Sequence, residues 1–237
     1  YEISACLVGS EMCIRDREVL MIKIFKTTDS GVLQISEFED NSWISMTNPT
    51  TEELFSVSST YKIAPDDLRA SLDEEERSRI EIEEYYSLIL VDIPTIEERN
   101  GKDWYGTIPL AIIICDKVIV TVCLEDSPVL TAFMDGRVRN FYTHMKTRFI
   151  FQILYRNATL YLNYLRIIDR RSDAIEQKLH EATKNRELIE LLELEKSLVF
   201  FTTSLKSNEV VLEKLLKSTA IKKYPEDEDL ILSLIHI

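Results

Sequence analysis

The chain has 237 residues, 45% of them hydrophobic, and its 41 Asp and Glu against 28 Lys and Arg give a net charge of −13. This length can bury a sizeable core, and the composition excludes a disordered chain, a collagen-like repeat or a disulfide scaffold. The acidic balance disfavours nucleic acid as a partner, because binding a polyanion needs clustered cations.

Both ends of the chain look like the translation of a sequencing-library adapter. Residues 11–16, Glu-Met-Cys-Ile-Arg-Asp, can be encoded by GAG ATG TGT ATA AGA GAC followed by AG. The reverse complement of the last eighteen of those bases translates as Leu-Ser-Leu-Ile-His-Ile, which is residues 232–237. We therefore predict that residues 1–20 and 232–237 are not native and that Met21 is the natural start. A secretory signal at residues 1–20 is disfavoured, because the segment carries acids and lacks an apolar centre.

The first native elements are predicted to be a β-hairpin, a third strand and two helices. Residues 21–27 and 32–35 flank Asp29-Ser30-Gly31, which is typical of a tight turn. A third strand is predicted over residues 43–46. Thr50 or Thr51 is then expected to cap a helix. The inward-facing residues of that helix are predicted to be Leu54, Phe55 and Val57.

A second helix is predicted from Pro65 to Leu72, followed by a charged, solvated turn over residues 73–79. From Ile80 the period changes to two, which predicts one long strand that is interrupted at Pro94, because proline cannot donate to a ladder. Asn100-Gly101 is predicted to form the next turn.

Residues 107–114 and 118–124 are predicted to form a hairpin that is buried on both faces, because both runs are apolar without polar alternation. The longest aliphatic run, residues 108–115, is far shorter than the ~20 residues of a membrane span. The two native cysteines, Cys115 and Cys123, are interpreted as reduced core residues of a cytosolic protein. Without Cys-x-x-Cys, and with only His144 and His180 outside the tails, no zinc site is predicted.

A short helix is predicted to begin at Ser127-Pro128 and to end near Gly136. The last third of the chain is then predicted to form two long amphipathic helices. One apolar stripe runs from Ile150 to Leu179 and a second from Leu188 to about Ser218, so the helices must pack antiparallel to cover their stripes. Tyr224-Pro225 breaks the chain, and the acids of residues 226–229 favour the start of another helix, which the predicted tail cuts short.

The predicted fold class is therefore α/β: an α/β/α sandwich with a mixed β-sheet, followed by a long antiparallel helical hairpin. The predicted divisions are an adapter-like tail (1–20), a sheet domain (21–146), the helix pair (147–224), the start of a further helix (225–231) and a second adapter-like tail (232–237).

Candidate catalytic residues are few. The chain has no glycine-rich phosphate loop, nucleophile elbow or His-Glu-x-x-His motif, so acid–base chemistry would depend on carboxylates such as Asp92 or Glu97. Asp92 interrupts an apolar strand, and the alternative interpretation is a strand-edge residue that reaches solvent. His144 lies among bases, interpreted as a solvated linker rather than an anion site; these are Arg137, Arg139, Lys146 and Arg148. Trp43 and Trp104 are interpreted as packing residues at a sheet end.

The order of features resembles the CorA family of divalent-cation (Mg²⁺) transporters, in particular its cytoplasmic amino-terminal domain. The matching passages cover nearly all of residues 21–231. They are Ile63-Ala64-Pro65 through Leu72, Arg79-Ile80-Glu81 with Tyr85 to Pro94, the hairpin Pro109 to Leu124, and Arg148 to Leu179 with Asp169, Asp173 and Ile175. The resemblance implies an α/β/α sandwich, a long acidic helix pair and a stalk helix that leads into the membrane.

The resemblance also implies a homopentameric parent in the plasma (inner) membrane, with this domain soluble and cytoplasmic, and with membrane contact only through missing C-terminal helices. Mg²⁺ is then the transported ion rather than a tightly bound cofactor. The family signature Gly-Met-Asn is absent, so this piece is not expected to conduct ions. As part of a transporter, it is not expected to be an enzyme.

No catalytic, cofactor-binding or metal-binding residue is assigned. Alignment on Arg79-Ile80-Glu81 places Leu68, Arg69 and Ala70 where many family members carry a Leu-Glu-Asp triplet that binds regulatory Mg²⁺ between subunits. A further metal-binding aspartate of the family falls on Tyr155. These side chains cannot supply the carboxylate oxygens that Mg²⁺ prefers. The acidic stretches 73–76 and 226–229 are expected to hold hydrated cations only weakly and diffusely.

Three functions are therefore considered. The first is a cytosolic regulatory or scaffold domain of a CorA-like transporter, truncated before its membrane helices. The second is a stand-alone helical-hairpin module for protein interaction. The third, which the sequence favours least, is a carboxylate-dependent hydrolase that uses Asp92 or Glu97.

Overall fold

A seven-stranded mixed sheet lies at the centre of the structure, a computed structural model that describes residues 21–99, 101–181, 185–218 and 227–236. The strand order is β2-β1-β3-β7-β6-β5-β4; only the β3–β7 pair is parallel. The strands are β1 (Ile22–Thr28), β2 (Gly31–Ile35), β3 (Trp43–Thr47), β4 (Arg79–Ile82), β5 (Tyr86–Arg99), β6 (Lys102–Cys115) and β7 (Ile119–Cys123).

Helices cover both faces of this sheet, as a sheet buried on both faces requires. They are α1 (Thr51–Tyr61), α2 (Pro65–Arg69) with a 3-10 turn (Ala70–Leu72), α3 (Pro128–Met134), α4 (Lys146–Glu181), α5 (Asn185–Lys217) and α6 (Glu228–His236). One apolar cluster joins the sheet to α1 and α2, and another joins it to α3, α4, α5 and α6. The predicted α/β/α sandwich is confirmed.

The first hairpin confirms its turn prediction. Thr28 pairs with Gly31, so Asp29 and Ser30 form a two-residue turn, and Gly31 has φ of 120°, a backbone angle that favours glycine.

Helix α1 begins as predicted, with Thr50 as its cap. The Glu53 backbone N–H donates to Thr50 Oγ1 at 3.3 Å, and the Thr50 N–H donates to Glu53 Oε2 at 2.8 Å. Leu54 and Val57 are buried, but the inward orientation predicted for Phe55 is wrong, since Phe55 is 69% exposed.

The long strand predicted from Ile80 is instead two antiparallel strands, β4 and β5, and Pro94 does not interrupt β5. The Asp92 N–H points away from β6 and donates to a side chain of α5. Pro94 lies two residues further along β5, so its backbone nitrogen faces the same side. The missing N–H of Pro94 therefore faces the β4 side of β5, where β4 reaches only as far as Leu90, and no ladder bond is lost.

The predicted hairpin of β6 and β7 is confirmed, with residues 108–113 and 119–123 buried on both faces; β6 also extends back to Lys102, where it is less buried. Gly101 lies at the preceding turn with φ of 74°, whereas Asn100 lies outside the described residues. Cys115 and Cys123 are free and buried, and burial raises the pKa of each thiol to about 11.

An aromatic cluster packs the start of α4 onto β3. Trp43 is fully buried and lies 5.0 Å from Phe149, between ring centroids, while its Nε1–H donates to Thr121 Oγ1 at 2.9 Å. Phe133 and Phe141 contact Phe149 at 4.9 and 4.6 Å. This cluster confirms that Trp43 is a packing residue.

Helices α4 and α5 form the predicted pair. The Tyr161 and Phe201 rings meet edge to face at 5.0 Å, within a cluster that contains Leu194. The predicted α5 stripe is only partly right: Leu188 and Leu198 are 43% and 40% exposed. Ser197 and Ser204 are instead among the buried residues of α5.

Helix α6 continues through residues 232–236, which the sequence assigns to an adapter, and Leu234 is buried. The breaking pair Tyr224-Pro225 and residues 1–20 lie outside the described residues. No helix in the part of the chain that the structure describes combines the length and apolarity of a membrane span.

Candidate functional site

Asp92 lies where the sheet meets both long helices. Strand β4 begins at Arg79, opposite Leu90, so the edge of β5 is open at Asp92. Open strand edges present unpaired N–H and C=O groups that need partners when buried. Side chains of α4 and α5 supply those partners here.

The backbone of Asp92 is bonded by three side chains. Its N–H donates to Asn208 Oδ1 at 2.9 Å, and its C=O accepts from Asn208 Nδ2 at 2.7 Å. The same C=O accepts from Asn157 Nδ2 at 2.9 Å and from the Tyr161 hydroxyl at 3.2 Å. Asn208 thereby imitates a neighbouring strand, and α4 and α5 are held at one position along β5. We call these four residues the Asp92 junction.

The Asp92 carboxyl is partly buried beside two serines. Burial raises the pKa of this carboxyl, and the neighbouring Ser204 and Ser78 hydroxyls oppose that shift in part. The Ser78 hydroxyl donates to Asn208 Oδ1 at 3.2 Å, and Ser204 shares a 3.1 Å hydrogen bond with Thr107. The prediction that Asp92 lies at a strand edge is right, but the edge is covered by the helices instead of opening to solvent.

The Asp92 junction supports positioning and not hydrolysis. Glu97 lies five residues further along β5, about 16 Å of extended chain, whereas paired catalytic carboxylates lie within ~10 Å of each other. The Glu97 carboxylate instead pairs with Arg99 at 2.7 Å. The hydrolase hypothesis therefore gains no geometric support from Asp92 and Glu97.

Glu97 and Trp104 line a groove of about 720 Å³ between the tip of the β5–β6 hairpin and α5. Arg99 stacks over the Trp104 ring at 3.8 Å, and Phe200 meets that ring at 5.5 Å between centroids. Gly106 permits this arrangement, since a Cβ there would lie 2.6 Å from the Trp104 ring. Trp104 is a packing residue, as predicted.

Three of the charged side chains that line the groove form an ion-pair network. Glu190 lies 2.9 Å from Lys102 and 3.6 Å from Arg171, and the hydrogen bond from Lys102 lowers the pKa of the Glu190 carboxyl. Arg171 also donates to the Asp103 carbonyl at 3.2 Å. These contacts tie the hairpin tip to both long helices.

The basic residues around His144 do not converge on one site. Arg137 pairs with Asp135, Arg139 is exposed, and the exposed His144 lies 5.5 Å from the Tyr142 ring. Lys146 donates to the carbonyls of Cys115 and Asp116, and Arg148 pairs with Asp227. The anion-site alternative is therefore not supported.

The positions aligned with the family's metal ligands offer no carboxylate. Leu68 and Ala70 are buried in the core, Arg69 is exposed, and Tyr155 is partly buried. Within the described ranges, no group of three or more His, Cys, Asp or Glu side chains could hold a metal ion. Asp227 corrects the expectation of a diffuse acidic field over residues 226–229, because it is fully buried beside Arg148; Glu226 lies outside the described residues.

The partners of Asp92 were not predicted from the sequence. Asn157 and Ser204 are buried, and Asn208 is partly buried, at positions on the inner faces of α4 and α5 where apolar residues prevail. A polar residue inside an apolar helical stripe is the signal that could have found them, since buried amides need hydrogen-bond partners.

The structure defines a class of protein: a mixed sheet covered on both faces by helices and extended by a long helix pair fixed to one sheet edge. Residues 38–237 match the model of the CorA family, described as CorA-like Mg²⁺ transporter protein, and the chain belongs to that family.

A named relative agrees with this assignment. The cobalt/magnesium transport protein CorA of Methanocaldococcus jannaschii is 30% identical over 179 residues, which are 72% of this chain and 53% of that protein. The chain thus spans about half the length of this curated relative.

Two solved structures share the fold. The soluble domain of CorA from Methanocaldococcus jannaschii superposes with a TM-score of 0.77 and 25% identity, covering 92% of this chain and 89% of that one. The complete CorA magnesium transporter from the same organism gives a TM-score of 0.78 and 23% identity, with 91% and 70% covered. The family to which the chain belongs consists of transporters and not of enzymes.

Proposed function

We propose that this chain is the cytoplasmic regulatory and scaffold domain of a CorA-like divalent-cation transporter, truncated before the membrane helices. The observation that carries the proposal is the family match over residues 38–237 on a fold that keeps the sheet and the helix pair together. The parent is proposed to be a homopentamer in the plasma membrane that transports Mg²⁺ or a related divalent cation.

The role proposed for this domain is mechanical. The Asp92 junction fixes the helix pair at one position along β5, so the sheet and the helices move as one body. A body of this kind can transmit packing changes between subunits to a following membrane segment. Conduction would belong to that segment.

The decisive experiment is to sequence the native locus beyond the codon for Leu230. The proposal predicts an apolar segment ending in Gly-Met-Asn within about sixty further codons, a distance set by a stalk helix and one span of ~20 residues. A stop codon before any such segment would contradict the proposal.

That contradictory outcome would favour the stand-alone interaction module instead. One observation supports this second candidate: α5 exposes Ile189, Leu192 and Val199, which are 56%, 55% and 60% exposed. Exposed apolar residues grouped on one helix often mark a protein interface.

Calorimetric titration with MgCl₂ tests the ion-binding part of the proposal. We expect weak, salt-sensitive heat, because Leu68 to Ala70 and Tyr155 supply no carboxylate. Titration with NaCl at matched ionic strength is the control. A stoichiometric site with micromolar affinity would show that the alignment of these positions is wrong.

A further inference from the structure

Asp227, the residue just before α6, is attached to α4 by a buried ion pair. Asp227 has an exposed fraction of 0%, and Arg148 Nε lies 3.6 Å from Asp227 Oδ1. The Arg148 side chain is 19% exposed. A buried charge pair tolerates the loss of one partner poorly, because the remaining charge stays desolvated without compensation.

Arg148 is rigidly positioned by its neighbours in α4. Phe149, the next residue, is fully buried in the aromatic cluster around Trp43. Lys146 donates to the Cys115 and Asp116 carbonyls at the β6–β7 turn. The guanidinium that Asp227 contacts is therefore held in place relative to the sheet.

The apolar attachment of α6 is small by comparison. In residues 227–236 only Asp227 and Leu234 are buried, while Leu230 and Ile231 are partly buried against the core. Leu234 belongs to the segment predicted to be adapter-encoded, so Leu230 and Ile231 are the apolar contacts of α6 that fall in its predicted native part.

We propose that the Arg148–Asp227 pair is a joint that holds α6 on α4 and opens as a separate unit while the sheet stays folded. The physical basis is the contrast between the densely packed start of α4 and the few apolar contacts of α6. The biological meaning rests on the proposed function, because α6 begins the segment that would lead from this domain toward the membrane.

Hydrogen exchange of the 237-residue chain, read by mass spectrometry, tests the joint. Arg148→Met and Asp227→Asn are each expected to accelerate exchange in peptides over residues 228–236 by more than tenfold, with β6 peptides unchanged. The double variant is expected to recover part of the protection, because it leaves no uncompensated charge. Lys217→Met, which breaks the exposed Lys217–Glu213 pair, is the matched control and should leave α6 unchanged.

Two results would overturn the joint. Wild-type exchange of α6 in both single variants would show that the pair does not hold the helix. Equal acceleration in α6 and β6 would show that α6 is not a separate unit. If Arg148→Met fails to fold, Asp227→Asn still decides, since it lies outside α4. The measurement uses neither a cation nor a membrane, so a native locus without a membrane segment would defeat the proposed function and leave the exchange result standing.

Discussion

The helix pair is attached to the sheet in two chemically different regions. At the start of α4, Phe149 packs into the aromatic cluster around Trp43. Further along, the Asp92 junction attaches α4 and α5 by hydrogen bonds to one strand edge. Apolar packing is non-directional and contributes most of the free energy of burial, whereas hydrogen bonds are directional and contribute less. The aromatic cluster is therefore expected to stabilise the fold, whereas the Asp92 junction is expected to position α4 and α5 on the sheet.

Phe149→Ala is expected to have the largest effect, because it removes a fully buried ring from the packed region. Truncation of a buried Phe costs about 3–5 kcal/mol of unfolding free energy. Urea denaturation followed by tryptophan fluorescence measures this loss, since Trp43 lies in the same cluster.

Phe55→Ala is the matched control, because Phe55 lies in α1 with 69% of its surface exposed. We expect a change within ±0.5 kcal/mol there. Similar losses in the two variants would mean that the aromatic cluster is not the stabilising region.

Asn208→Ala is expected to have an intermediate effect. The substitution leaves the Asp92 N–H without its acceptor, while Asn157 and Tyr161 still serve the C=O. A buried donor left unsatisfied costs about 1–3 kcal/mol. Denaturation measures this cost, and amide exchange at β5 should accelerate locally if the junction positions α5.

Asn163→Ala is the control for that variant, since Asn163 is exposed on α4. Its unfolding free energy should stay within ±0.5 kcal/mol of wild type. Wild-type exchange at β5 in Asn208→Ala would mean that Asn208 does not hold the strand edge.

The two regions also differed in how far the sequence predicted them. The apolar runs of β6 and β7 and the 3.6-residue stripes of α4 and α5 are local patterns, and these elements are confirmed, although Leu188 and Leu198 of the α5 stripe are exposed. The prediction that Pro94 interrupts the strand was wrong. A proline is tolerated in β5 where no strand pairs with its nitrogen, and β4 reaches only as far as Leu90, which depends on the tertiary structure. The Asp92 junction joins residues 65 and 116 positions apart, and no local pattern specifies such contacts. The prediction for Asp227 was likewise based on the acidic residues beside it in the sequence, whereas in the structure Asp227 is buried beside Arg148.

Asp92→Asn is expected to have the smallest effect on stability. The pH dependence of that effect tests whether the ionised Asp92 carboxylate stabilises the Asp92 junction. Burial raises the pKa of the Asp92 carboxyl above its ordinary 3.8, so the folded state binds a proton more tightly than the unfolded state. The contribution of Asp92 to stability is therefore full below the ordinary pKa and is lost as pH rises through the raised value. At neutral pH the asparagine variant, which cannot ionise, should melt at a slightly higher temperature than wild type.

That difference should shrink toward zero as pH falls below about 4, where wild-type Asp92 is protonated. Thermal melts across this range measure it, with Glu98→Gln on the same strand as the control for loss of one negative charge. A variant that melts below wild type at neutral pH would mean that the ionised carboxylate stabilises the junction through Ser78 and Ser204. The Asp92 junction would then depend on the ionised carboxylate, and its contribution to the unfolding free energy would fall in acid instead of rising.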